Sequence, residues 1–296
     1  MTSKTDIPQG AHQGISATRY HSIKAASASQ LRTLHASTPA HLAYQSRQPF
    51  VPTWETILGE LIHHAVLEPS RPFPQLAVVP ETYPAPDDST VVKKGGAKPG
   101  EPIEWNWRAK ACQQWRRDAE AAGLIVVSRD DLDEISQAVE RVHACPEARE
   151  IVENANTEVT LIWEHVSGFP CKARLDLVPR GPILADLKTC RDASPAGFER
   201  HAWDMGYHIQ AAWYLIGWDN CGADVRTEFQ FIAYERGVGL VKVHRVSKSL
   251  LEVGISQAIA AFDRFRESSI SGEWAGYESG VGTLEVPKFA RKEVGL

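Results

Sequence analysis

Between residues 158 and 190 the apolar residues fall into a period of two. Three short runs, EVTLIWEH (158–165), CKARLDLVP (171–179) and PILADLKTC (182–190), are separated by VSGFP and RG, both of which are turn signals. Connections this short leave no room for a crossover, so the runs read as an antiparallel meander of three strands. This feature constrains the fold more than any other, because a meander needs a covering layer and the segments around it carry helical periodicity.

The third run carries an acid and a lysine inside an apolar stretch. Side chains alternate along a strand, so Ile183, Ala185 and Leu187 share one face while Leu184, Asp186 and Lys188 share the other. One face is core, and the other turns polar midway. Asp176 lies ten residues before Asp186, across the PRGP turn, so neighbouring strands can bring the two carboxylates together. Close carboxylates repel unless a cation or a proton lies between them. Hard oxygen donors of this kind suit magnesium or manganese, and a lysine beside a dication can orient or deprotonate a water. On spacing alone, a structural salt-bridge network fits the same three residues.

The flanking segments read as helices. SASQLRTLHASTPAHLAYQSR opens at a Ser27 or Ser29 cap and is interrupted near Pro39, and TWETILGELIHHAVLE (53–68) stops at Pro69. His63 and His64 are adjacent in the latter and point in different directions, so at most one faces a given site. Residues at about 84–104 are dense in Pro, Gly, Asp and Lys and predict a long mobile loop. Helices follow from about Trp107 to Ala122 and after the Ser128 cap. The stretch 197–218 reads as one helix, VRTEFQFIAYE and GLVKVHRVS as strands, and SLLEVGISQAIAAFDRFRES as a final helix. Residues 1–25 are polar and aperiodic and are expected to be disordered, ahead of a single domain over 26–296.

Composition narrows the function. An apolar fraction of 43% suits a sizeable core. The start of the chain has no apolar leader, and no run approaches the roughly 20 apolar residues of a membrane span, so a cytoplasmic protein without a membrane partner is expected. Five cysteines stand singly without a C-x-x-C pair, which excludes the usual zinc, iron-sulfur and disulfide patterns. A net charge of −5 disfavours coating nucleic acid by bulk electrostatics but leaves room for a local basic groove. Candidates for it are Lys93, Lys94, Lys98, Arg108, Lys110, Arg116 and Arg117, with Lys288, Arg291 and Lys292 in the tail.

Taken in order, SASQLRTLHASTPAHL, GELIHHAVLEP, GFPCKARLDLV, ILADLKT, YHIQAAWY and GEWAGYESGVGTLEVPKFA resemble the PD-(D/E)xK nuclease superfamily over about residues 27 to 290. Within it the chain is most similar to the RecE-type exonucleases, and more distantly to lambda exonuclease and the RecB nuclease domain. The resemblance implies an α+β fold, an α/β sandwich with a restriction-endonuclease-like core. Its central mixed sheet would begin with the antiparallel three-strand meander and be flanked by helices.

The resemblance also implies roles. Asp176 and Asp186 match the metal-binding acids, the main-chain carbonyl of Leu187 is a further ligand, and Lys188 matches the catalytic lysine. Gly59 sets the register of G-x-x-x-H, which makes His63 rather than His64 the metal ligand. Gln210 and Tyr214 match Q-x-x-x-Y, one helical turn apart and directed at the scissile strand, and Tyr207 and Glu68 are further candidates. Leu175 stands where the family often has a proline.

The function implied is a magnesium-dependent deoxyribonuclease, with manganese as a substitute. It would be a 5' to 3' exonuclease on linear double-stranded DNA in phage-type homologous recombination. Such relatives form a homo-oligomeric ring around DNA, and a single-strand annealing protein is the partner to expect. An endonuclease or single-strand nuclease of the same fold, a hydrolase acting on something other than DNA, and a DNA-binding or assembly module with an inactive site are the competing readings.

Overall fold

The three alternating segments lie at the centre of the sheet. A computed structural model of the chain describes residues 6–87, 96–222 and 224–287. Among these, six strands lie side by side: β1 (Gly10–His12), β6 (Ala155–Glu164), β7 (Pro170–Pro179), β8 (Ile183–Cys190), β9 (Glu228–Glu235) and β10 (Leu240–Arg245). The β6-β7-β8 meander is antiparallel, as are β1-β6 and β9-β10, whereas β8 and β9 run parallel, so the sheet is mixed. A parallel pair needs a long crossover. Helices α8 (Pro195–Asp204) and α9 (Tyr207–Cys221) supply it.

Helices cover both faces of the sheet. On one, Leu161, Leu175, Leu184 and Phe229 pack with α2 (Ala28–Ala36), α9 and α10 (Lys248–Ser271). On the other, Leu177, Ala185, Leu187 and Ile232 pack with α4 (Trp54–Leu67), α6 (Arg129–Ala144) and α7 (Pro146–Glu153). The face of β8 that carries Asp186 is therefore core at Leu184 before it becomes polar. No helix among the described residues is long and apolar enough to cross a membrane.

Local chemistry sets the helix ends. Gln30 Oε1 accepts from the Ser27 main-chain N–H at 3.0 Å ahead of α2, and Thr53 Oγ1 accepts from Thr56 N at 3.3 Å ahead of α4. Ser128 and Asp131 form a reciprocal capping box ahead of α6, at 2.7 and 3.1 Å. Pro39 opens α3 (Pro39–Arg47) at a position where the missing N–H costs nothing. The remaining helices are α1 (Ala17–Ser22) and α5 (Lys110–Ala121).

The structure departs from the sequence expectations in two places. First, residues 10–12 pair with 160–162 as an edge strand and α1 follows, so residues 6–25 are not the disordered tail expected. Side chains of β7 hold this segment by its main chain: Lys172 Nζ donates to the carbonyls of Tyr20 and Ile23 at 2.9 and 2.7 Å, and Arg174 Nη1 to that of Ile15 at 2.7 Å. Anchors made to carbonyls leave no mark in the composition of the segment that is anchored. Second, residues 197–218 are two helices broken at Gly206, whose φ of 66° is left-handed. At the ends of the 84–104 segment, β3 (Thr82–Pro84) pairs antiparallel with β4 (Pro102–Glu104). Beside this hairpin, β2 (Leu76–Val78) and β5 (Ile125–Val127) form a parallel pair. Lys93 and Lys94 fall outside the described residues.

Candidate active site

Strands β7 and β8 part where the acids lie. Their registered pair is Leu177 with Ala185, and beyond it the Leu187 N–H donates to Asp176 Oδ2 at 3.1 Å. A carboxylate has taken the place of a ladder acceptor. The opposite edge of β7 is distorted at the same level: Thr157 pairs with Leu177 and Val159 with Leu175, but Glu158 and Asp176 form no pair. Glu158 has a φ of 55° there. Across this kink Leu175 and Leu177 enter opposite cores, although alternation would put them on one face. A cleft of about 860 Å³ opens at this point.

Asp186 is fully buried, and two side chains serve it. Gln210 Nε2, from the first turn of α9, donates to Oδ1 at 2.7 Å, and the Lys188 ammonium forms an ion pair with Oδ2. Beyond that ion pair, Oδ2 is buried without a hydrogen-bond partner, and Gln210 Oε1 has none either. Lys188 Nζ lies 4.8 Å from the Tyr207 ring centroid, a cation–π contact from the residue one turn before Gln210. His63 Nδ1 is 3.4 Å from Asp176 Oδ2. His64 also lines the cleft and meets Phe73 edge-on at 5.1 Å. Tyr214 and Glu68 also line the cleft, Glu68 in an ion pair with Arg71.

A family model described as a PDDEXK-like domain of unknown function (DUF3799) matches residues 27–277. The chain belongs to this family. The crystal structure of a candidate exonuclease from Eubacterium rectale matches with a TM-score of 0.55 at 12% identity, covering 96% of this chain and 100% of that one. At that identity the match shows the fold alone. The alkaline exonuclease LHK-Exo from Laribacter hongkongensis is 14% identical over 56% of this chain and 86% of its own, with a TM-score of 0.26, too slight a likeness to argue from. No curated protein matches the chain.

Charge within this PDDEXK-like cleft is unevenly held. Burial, and then the neighbouring Asp186 charge, push the Asp176 carboxyl well above the usual carboxylate range. Burial, and then Lys188, hold His63 below its ordinary value, so the His63–Asp176 contact is not a full ion pair. Burial also pulls on the Lys188 ammonium, but Asp186 and Asp176 together outweigh it and keep the lysine charged. In this arrangement Lys188 stands as the counter-charge of Asp186. Burial raises the Tyr214 and Tyr207 phenols and keeps them neutral.

Among the described residues no three His, Cys, Asp or Glu side chains are placed to ligate a metal together. The donor chemistry nonetheless fits a divalent ion. Two carboxyls from adjacent strands disfavour each other's charge, Asp186 Oδ2 is buried without a hydrogen-bond partner, and His63 is a neutral imidazole. An ion there would compete with the Lys188 ammonium for Asp186 Oδ2.

Sequence reasoning missed Glu158, Arg174, Arg32 and Tyr20, all of which line the cleft. Arg174 had a readable signal, since alternation puts it on the side of Asp176 two residues later. The other three reach the cleft only through the tertiary fold. None of the expected groove residues Lys98, Arg108, Lys110, Arg116 and Arg117 lines it. Arg116 and Arg117 instead bond to Glu120 and Gln114 on their own helix, and Lys288, Arg291 and Lys292 fall outside the described residues.

Proposed function

We propose that the chain is a divalent-metal-dependent deoxyribonuclease, with residues 26–296 as one nuclease domain. The observation that carries this is Asp186: fully buried, bonded by Gln210 and Lys188, and facing a cleft shared with Asp176 of the next strand. Such a constellation is costly to bury unless a ligand completes it. Membership of a PDDEXK-like family and the fold shared with a protein described as a candidate exonuclease support the same reading.

Asp176, Asp186, the Leu187 carbonyl and His63 would hold magnesium, with manganese as a substitute. A bound dication supplies Lewis-acid polarisation of the phosphoryl oxygen and a more acidic water. Lys188, charged and fixed over the Tyr207 ring, directs its N–H bonds at the developing negative charge and orients the attacking water. Gln210 keeps Asp186 in one rotamer, and its unpartnered Oε1 can accept a hydrogen bond from the water or a base. Tyr214, neutral and one turn along the same helix face, can donate to the scissile strand.

The finer reading is a 5' to 3' exonuclease on linear duplex DNA in phage-type recombination, acting in the cytoplasm as a homo-oligomeric ring with a single-strand annealing partner. Its support is the RecE-type order of motifs, and a ring would offset the −5 net charge by retaining DNA topologically. The test is digestion of end-labelled linear duplex with magnesium. Asp186→Asn and Lys188→Ala, checked for fold by circular dichroism, should each lose activity by about 10³-fold or more. Undiminished digestion by both variants overturns the assignment, and release of the 3' label first overturns the polarity.

A further inference from the structure

Among the described residues, Glu158 is the one non-glycine held at a left-handed φ, 55°. That conformation costs a residue with a Cβ about 1–2 kcal/mol and persists only where surrounding structure imposes it. Its carboxylate enters the cleft and pairs with Arg174, with side chains of both only 15% exposed. Arg174 is fastened a second time, through Nη1, to the Ile15 carbonyl at 2.7 Å. These bonds use two of the five N–H groups of a guanidinium whose plane they fix, and the group forms part of the cleft wall. The remaining N–H groups can serve a ligand.

Its position gives that ligand a place. Arg174 precedes Asp176 by two residues on β7, about 7 Å along the strand, and both line the cleft. The described cleft lining holds three lysines or arginines, Arg32, Arg174 and Lys188, against Glu55, Glu60, Glu68, Glu158, Asp176 and Asp186. Lys188 is committed to Asp186, and Arg32 donates to the Met205 carbonyl at 2.6 Å while lying over the Tyr207 ring. A polyanion entering so acidic a cleft needs a fixed cation beside the reacting centre as well as one within it. The planar fork of an arginine suits phosphate oxygens better than a lysine does.

The geometry points to Arg174 as the residue that grips the DNA backbone phosphate next to the one being cut, with Glu158 and the Ile15 carbonyl as the groups that position its fork. This rests on the nuclease reading above and names a substrate contact within it. The strained backbone at Glu158 holds that fork rigid before substrate arrives.

Binding of a fluorescent linear duplex to the full-length protein, followed by anisotropy across a salt series, tests it. Calcium replaces magnesium, because it carries the same charge without magnesium's strict octahedral demand. Arg174→Gln should bind about tenfold more weakly, and its slope of log affinity against log salt should shrink by about 0.9, the value for one phosphate that the protein no longer neutralises. Arg174→Lys keeps the charge and should hold the slope while losing affinity, and Glu158→Gln should do the same. In magnesium, Arg174→Gln should raise KM more than it lowers kcat. Equal affinity and slope in folded Arg174→Gln overturns the clamp. Should that variant fail to fold, Arg174→Lys binding as tightly as the wild type overturns it instead. A wild type that binds duplex yet never cuts it sinks the nuclease reading alone, and one that binds no DNA sinks both.

Discussion

At the scale of single residues, Asp186 governs the site. A fully buried carboxylate survives only if its charge is met, and here Lys188 and Gln210 divide its two oxygens between them. Replacing Gln210 by methionine keeps the volume but leaves Oδ1 without a donor. We expect Gln210→Met to cost about 1–3 kcal/mol in stability, read from the urea midpoint. Activity should fall by about 10²–10³-fold, the usual loss when one preorganised donor is removed. A variant with wild-type turnover would show that Gln210 serves packing alone. Asp186 and Lys188 were legible because the strand period puts them on one face, and Gln210 because its helix resembles the family's Q-x-x-x-Y motif. Glu158 was not, since its role depends on a backbone torsion that no local pattern encodes.

At the scale of elements, the break between α8 and α9 decides how the site is presented. It starts α9 afresh at Tyr207, so that Tyr207 meets Lys188 and, one turn on, Gln210 meets Asp186. Gly206 permits this with its φ of 66°, and a Cβ there would lie 3.1 Å from Arg32 Cγ. Gly206→Ala should therefore lower stability by about 1–2 kcal/mol and reduce activity with it, measured by thermal melting and duplex digestion. An alanine variant as stable and active as the wild type would mean that the break is incidental. The sequence did not disclose it, because apolar residues recur at helical spacing through the join.

The N-terminal strap makes a second prediction at this scale. Burial lowers the Lys172 amine to about 8. Unfolded lysine titrates near 10.4, so between about pH 8 and 10 the unfolded chain binds more protons than the folded one, and stability rises with pH across that window. The urea midpoint of the wild type should climb there relative to Lys172→Met, which lacks the titrating group. Parallel curves would show that the amine is not desolvated.

At the scale of the molecule, the fold brings carboxyls from two strands into one cleft, and a divalent ion should stabilise the folded state alone. At a hundredfold excess over its dissociation constant, magnesium should add about 2.7 kcal/mol, seen as a rise in melting temperature that chelation reverses. Asp186→Asn should flatten the response. A melting temperature indifferent to magnesium and manganese in the wild type would remove the metal from the proposal. A ring predicts a solution mass that is a whole multiple of the protomer's and larger than a dimer's, measurable by light scattering.

What the sequence determined by itself was everything set by near neighbours. The alternation at 158–190 gave the meander, a cap at Ser27 or Ser29 and another at Ser128 gave two helix starts, and the D...D-x-K spacing put two acids and a lysine on neighbouring strands. These follow from periods and caps acting over a few residues, and they sufficed for the α+β class. Tertiary structure decided what depends on distant partners: β9 parallel to β8, residues 15–23 strapped to β7 through the carbonyls of Ile15, Tyr20 and Ile23, the kink at Glu158, and Arg174 at the cleft wall. Such interactions join segments well separated along the chain, by 149 residues in the case of Lys172 and Ile23. They are set by which surfaces can be buried together, a property of the assembled layers and not of any window along the chain.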